Sequence, residues 1–182
     1  MEIVNWGILS TADIGRSKVI PAIQNEARSV VSAIASRSLA TAEETATDLD
    51  IERAYGSYEQ LLADPAIDAV YIPLPNHMHA EWTIKAARSG KHVLCEKPLA
   101  ANAQDAERVL RASEGSDLIV AEAMHFRYHP LVDRVRDILH SGEIGRVELI
   151  DASTRQNVWA EVFDRPVSDI FAIQTEIAES VA

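Results

Sequence analysis

At 182 residues, with 47% apolar and 25% charged side chains, the chain has the size of one globular domain, or of one domain and part of a second. Its formal charge of −11, from 28 acidic against 17 basic residues, argues against nucleic-acid binding, which needs a basic face, and against docking to anionic membranes. No apolar run reaches the roughly 18 residues needed to span a bilayer, and a single cysteine, Cys95, excludes an internal disulfide and fits a reducing cytoplasm.

The opening "MEIVNWGIL" has no basic leader and runs directly into a strand pattern, so no export signal is expected. "IVNWGIL" (3–9) precedes a helical stretch from Asp13 to Gln24, and "SVVSAIA" (29–35) precedes the Ala- and acid-rich "LATAEETATDLD". "AIDAVYIPLP" (66–75) leads to "HAEWTIKAARSG", where Trp82, Ile84 and Ala87 fall near helical spacing and Gly90 is a C-cap. "KHVL" (91–94) precedes "NAQDAERVLRASEG", with Asn102 as N-cap and Gly115 as stop, and "DLIVAEA" (117–123) reads as a further buried strand. Apolar strands alternating with amphipathic helices predict an α/β fold, a doubly wound parallel sheet covered on both faces. Ligands of such sheets bind beyond the carboxyl ends of the strands, near the topological switch point. The loops to watch are therefore 10–15, 36–38, 73–79 and 95–98.

The first of these loops lies in "GILSTADIGRSKVIPAI". Setting Gly15 at the third glycine of G-x-G-x-x-G puts Ser10 and Ala12 in the first two places. That motif needs a tight turn and close approach of backbone to a pyrophosphate, and Ser and Ala are the smallest side chains after Gly. Helix N-terminal N–H groups would meet the phosphates, which makes Ser10, Thr11, Ala12, Ile14 and Gly15 candidate cofactor contacts. Asp13 is a candidate helix cap whose charge is unfavourable there, with Arg16 to offset it. At the end of the second strand, where NAD sites carry an acid for the ribose hydroxyls, "ASRSLA" offers Ser36, Arg37 and Ser38. Arginine accommodates a 2′-phosphate, so NADP is expected over NAD; the bland reading is an exposed arginine at a strand end.

"CEKPLA" (95–100) sets an acid, a base and a proline directly behind the apolar "HVL". Glu96 and Lys97 are costly to bury unless paired, and Pro98 cannot continue a central strand. Taken alone, the stretch reads as a solvated strand exit, and Cys95 as a small buried residue rather than a nucleophile. His77, His92 and His125 have no metal-ligand spacing, and no metal is expected.

The longer stretch "AVYIPLPNHMHAEWTIKAARSGKHVLCEKPLA" (69–100) resembles the Gfo/Idh/MocA family of NAD(P)-dependent oxidoreductases. Pro75, Asn76 and His79 stand about twenty residues before Glu96, Lys97 and Pro98, as P-N-x-x-H stands before E-K-P in that family. "WGILSTADIG" is similar to its opening strand and turn, and "EAMHFRYHPLVDRVRDILHSGEIGRV" (122–147) to its bridge into a second domain. The resemblance implies a Rossmann domain over 1–123 and hydride transfer between NADP and a sugar- or polyol-like alcohol or carbonyl. Lys97 would relay the proton, with Glu96 beside it, both also touching cofactor, and the Lys97–Pro98 bond would be cis. A lysine in water holds its proton at neutral pH; desolvation and a positive nicotinamide ring disfavour the ammonium, and Glu96 acts the other way. Asn76 would hold the nicotinamide ribose, and Pro73 and Leu74 would line its path. For His79 two readings stand, a contact to that pocket and a capping or core histidine. Arg127 and His129 are candidates for the substrate pocket, or else flank a helix starting at Pro130 whose Leu131, Val135 and Ile138 stripe is core by default.

Members of the family usually run well past 300 residues. Here the last glycine is Gly145 and the last histidine is His140, so residues 124–182 read as a truncated α+β remnant. "RVELIDASTRQNVW" can begin its sheet, and "SDIFAIQTEIAESVA" looks helical with Ser168 as cap. An uncovered helix face or sheet edge would invite self-association into a homo-oligomer. The alternative to an enzyme is an NADP-binding sensor or regulatory subunit, or a fragment of a longer enzyme.

Overall fold

A computed structural model describes residues 3–143, 145, 148–150 and 157–160. The chain divides into two compact units, Met1–Met124 and His125–Ala182. In the first unit, six parallel strands run in the order β3-β2-β1-β4-β5-β6: β1 (Val4–Leu9), β2 (Ser29–Ala35), β3 (Arg53–Tyr55), β4 (Ala69–Ile72), β5 (His92–Cys95) and β6 (Val120–Glu122). The order reverses between β1 and β4, the switch point where such sheets bind ligands.

Successive strand residues point to opposite faces, and the burial follows that rule strand by strand. Leu9, Ala33, Ala35, Val70 and Ile72 face one core with Leu61 and Trp82, from α3 (Tyr58–Leu62) and α4 (Asn76–Arg88). Their neighbours Ile8, Ile34 and Tyr71 face the other core with Ile20 and Ala46, from α1 (Ile20–Gln24) and α2 (Leu39–Asp48). A smaller cluster, Ala80, Ile84 and Val109, joins α4 to α5 (Ala103–Ser113). The central strands are therefore apolar on both sides, as a covered parallel sheet requires. Gly7 in β1 matters for its lack of a side chain: a Cβ there would stand 2.5 Å from a Leu61 methyl, so its absence lets α3 close on the sheet.

Two of the expected caps form: Asn102 accepts from the Asp105 N–H at 2.9 Å, and Gly90 ends α4 at φ 74°; Ser38, which was not among them, caps α2. Asp13 is not a cap; it lies inside the first helical turn, its carbonyl accepting from the Ser17 hydroxyl at 2.7 Å. Arg16 pairs instead with Asp48 of α2, at 3.4 Å. β3 and α3 are fixed by Asp64, whose carboxylate accepts from Arg53, from the Tyr55 hydroxyl at 2.9 Å and from the Ala66 N–H at 2.9 Å. Burial alone would raise this carboxyl, but the Ala66 N–H, the Tyr55 hydroxyl and the Arg53 and Lys91 charges together hold it below the usual carboxylate range. A depressed folded-state value means stability that is full above the unfolded carboxylate range and is lost as pH falls through the lower folded value. Asp64→Asn should thus be less stable near neutrality and should lose less than the parent on acidification, as denaturant midpoints measured from pH 7 down to about 3 will test.

In the second unit a 3-10 turn, His125–Tyr128, precedes α6 (Pro130–Ser141), and β7 (Glu148–Ile150) pairs antiparallel with β8 (Asn157–Ala160). That ribbon occupies the stretch where a sheet was expected to begin. The α6 stripe is not core among the described residues: Leu131 is 62% and Val135 48% exposed. A helical stripe becomes core only where a second layer covers it. The helix expected over 168–182 lies outside the described residues.

Candidate functional site

The turn after β1 is shaped as a phosphate loop despite its missing glycines. Ser10 has φ 133°, in the left-handed region that favours glycine, so it adopts the backbone of the residue it replaces. Its Oγ accepts from the Ala12 N–H at 3.0 Å, which partly offsets a strain on the order of 1–3 kcal/mol. The Ala12 carbonyl accepts the N–H groups of Gly15 and Arg16 at 3.0 and 3.1 Å. The first-turn amides of Asp13 and Ile14 have no helical carbonyl behind them and sit at the positive end of the helix dipole. Gly15 is buried against the end of β4: a Cβ there would meet Tyr71 and Pro73 at 3.5 Å. The helix continues through a π-helical turn, Gly15–Val19, a form frequent at functional sites.

Beyond β2, Ser36 is half-buried and Arg37 exposed, the Ser36 N–H bonding the Tyr55 carbonyl at 3.0 Å. Nearby, burial pushes the Tyr58 phenol up, while the Arg37 charge and the Ser10 hydroxyl act the other way.

The exits of β4 and β5 carry the remaining candidates. Pro73 and Leu74 are buried, and Asn76 is the exposed first residue of α4. Glu96 is buried at 8% exposure; its Oε1 accepts from the Tyr71 hydroxyl at 2.8 Å and its Oε2 from the Lys97 N–H at 3.3 Å. Burial, and after it the Glu96 carboxylate, raise the Tyr71 phenol above its ordinary range, so Tyr71 is a lasting donor to Glu96. The bond between Lys97 and Pro98 is cis, and Lys97 is exposed. Leu99 is tied to Glu122 at the end of β6 by an N–H bond of 2.8 Å. His79 is fully buried, with both ring nitrogens on backbone carbonyls. Cys95 is buried with its thiol pushed up to about 12, chiefly by burial, so it is no nucleophile.

The residues expected at the cofactor thus end adjacent strands of one sheet: Ser10 to Gly15 after β1, Ser36 and Arg37 after β2, Pro73 to Asn76 after β4, Glu96 and Lys97 after β5. Small residues at the first turn, an arginine beyond β2 and a lysine beyond β5 fit a nicotinamide dinucleotide with a 2′-phosphate. Arg127 and His129 belong to the second unit, where His129 Nδ1 caps α6 from 3.1 Å and Arg127 lies 5.9 Å from the Tyr128 ring. Sequence reasoning missed Tyr58, Tyr71 and Glu122. No local pattern marks these residues: the Tyr71 ring lies in an apolar strand, and its hydroxyl meets Glu96 only in the assembled sheet.

Residues 4–124 match the Gfo/Idh/MocA oxidoreductase family, described as an NAD-binding Rossmann fold. An uncharacterised oxidoreductase of Rhizobium meliloti is 48% identical over 162 residues, 89% of this chain and 47% of that one. D-xylose 1-dehydrogenase (NADP(+)) 2 of Haloferax volcanii is 49% identical over 78% of this chain and 43% of its own. Among solved structures, the 3-ketoreductase KijD10 of Actinomadura kijaniata, in complex with TDP-benzene and NADP, superposes with a TM-score of 0.74 at 37% identity, covering 81% of this chain and 46% of that one. The chain spans less than half the length of these two curated relatives.

Proposed function

Because the chain belongs to the Gfo/Idh/MocA family of oxidoreductases, we propose that it is the NADP-binding part of an enzyme that moves hydride between the nicotinamide and a sugar- or polyol-like alcohol or carbonyl. The observation that carries this reading is the convergence of three loops at the carboxyl ends of one parallel sheet: a glycine-like turn at Ser10, Arg37 beyond β2, and a Glu96-braced Lys97 beyond β5. Two relatives support it by name, the NADP-dependent D-xylose dehydrogenase and the NADP-bound 3-ketoreductase.

In this reading Ser10, Thr11, Ala12, Ile14 and Gly15 hold the pyrophosphate through backbone N–H groups, and Ser36 and Arg37 hold the 2′-phosphate. Pro73 and Leu74 wall the path to the nicotinamide, and Asn76 holds its ribose. NADP, when bound, supplies or accepts the hydride. Lys97 takes the hydroxyl proton as hydride leaves the carbinol carbon, or returns it when a carbonyl is reduced, while Tyr71 and Glu96 fix the backbone from which it projects.

The test is a pair of titrations and a substrate panel with the full-length protein. NADP should bind about tenfold or more tightly than NAD, the scale of one charge-assisted phosphate contact. Nicotinamide absorbance should change with at least one sugar, polyol or diol. Equal affinity for the two dinucleotides removes the NADP assignment, and binding without turnover of any member removes the enzyme assignment.

A further inference from the structure

His79 lies in the first turn of α4 and is 0% exposed. Its Nε2 is 2.6 Å from the Leu74 carbonyl oxygen and its Nδ1 is 2.6 Å from the Pro98 carbonyl oxygen. A carbonyl oxygen can only accept, so each ring nitrogen must donate, and a neutral imidazole carries a single N–H. A neutral ring would set a lone pair against a carbonyl oxygen in a dry site, where such an opposition is costly.

We propose that His79 is a positioning residue: an imidazolium whose two ring N–H groups clamp the β4–α4 loop to the turn after β5. Leu74 stands two residues before Asn76, and Pro98 directly follows Lys97. One side chain thereby sets the distance between the loop that carries the ribose contact and the turn that carries the proton relay. Two carboxylates stand at the clamped turn, where Glu96 and Glu122 accept the N–H groups of Lys97 and Leu99 on either side of Pro98. The opposing positive group is Lys97, whose side chain is exposed. On α4 itself, His77 and Glu81 are exposed, on the helix surface. Glutamine cannot replace the clamp, because its amide donates from one end only.

The effect on hydride transfer rests on the function proposed above; the clamp does not, and the experiment separates them. Nitrogen-15 NMR of histidine-labelled protein at neutral pH, with His79→Gln identifying the signals among the six histidines, reads the ring directly. Two slowly exchanging ring protons and no unprotonated ring nitrogen are expected for His79. A single ring proton, with the other nitrogen unprotonated, overturns the proposal. In parallel, His79→Gln should lower kcat by roughly tenfold or more while the sugar KM moves less than about threefold, the pattern of a misplaced rather than a missing catalytic group. Unchanged kcat overturns the positioning role. A parent protein that turns over no substrate would count against the function alone, and the ring spectrum would still decide the clamp.

Discussion

Replacing Lys97 with alanine should lower turnover by roughly 10²- to 10⁴-fold, the usual contribution of a positioned proton donor or acceptor, with NADP affinity changed by less than about threefold. Lys97 is exposed, while its backbone N–H is held by Glu96 and that of Leu99, two residues on, by Glu122. Removing the side-chain amine therefore leaves intact the bonds that the Lys97 and Leu99 N–H groups make to Glu96 and Glu122. Nothing at the pyrophosphate loop or at Arg37 depends on it. Hydride can leave the carbinol carbon only as the hydroxyl proton finds an acceptor, so the loss should fall on kcat and kcat/KM alike. Steady-state rates beside a fluorescence titration with NADP will check this. An alanine variant retaining more than a tenth of the parent turnover would dismiss the relay.

Tyr71 shows why half of this arrangement was visible in the sequence and half was not. The apolar runs "AVYI" and "HVLC" give β4 and β5 as strands covered on both faces, and the E-K-P spacing puts Lys97 past a strand end. The register that sets Ile72 beside Cys95, and so brings the Tyr71 hydroxyl to Glu96 25 residues on, is a property of the assembled sheet. No local pattern encodes it. His79 is a similar case. Its place in P-N-x-x-H left a pocket contact and a core role equally open, and its two carbonyl partners come from loops that meet only after β4 and β5 pair.

β3 and α3 failed for a different reason. With three and five residues they are shorter than the windows over which hydrophobic periods emerge. What holds them is tertiary, the Asp64 network on one side and the Tyr58–Trp82 edge-to-face contact at 4.9 Å on the other. Ser10 exposes a limit of motif reading. The degenerate G-x-G-x-x-G suggested only a loss of room, whereas the turn keeps a glycine's backbone and bears the strain. The α6 stripe fails in the opposite direction, since periodicity identifies an apolar face without saying what covers it.

Arg37→Glu should invert the dinucleotide preference. A charge-assisted hydrogen bond contributes about 1.5–3 kcal/mol, and a factor of ten costs about 1.4 kcal/mol, so losing the guanidinium alone should weaken NADP by roughly 10- to 150-fold. The new carboxylate adds repulsion against a 2′-phosphate and moves the loss to the upper end of that range. Against NAD the same carboxylate can accept the ribose hydroxyls, so NAD affinity should hold or rise. Arg37 is exposed and forms no ion pair among the described residues. The substitution should therefore alter folding stability by no more than about 0.5 kcal/mol, as ordinary surface changes do. That separation gives the experiment its force, because a weakened NADP signal then cannot be a folding artefact. Parallel titrations of parent and variant with both dinucleotides, beside a denaturant midpoint for each, would settle it. Should NADP bind the glutamate variant as tightly as the parent, Arg37 is an exposed strand-end arginine and the 2′-phosphate is held elsewhere.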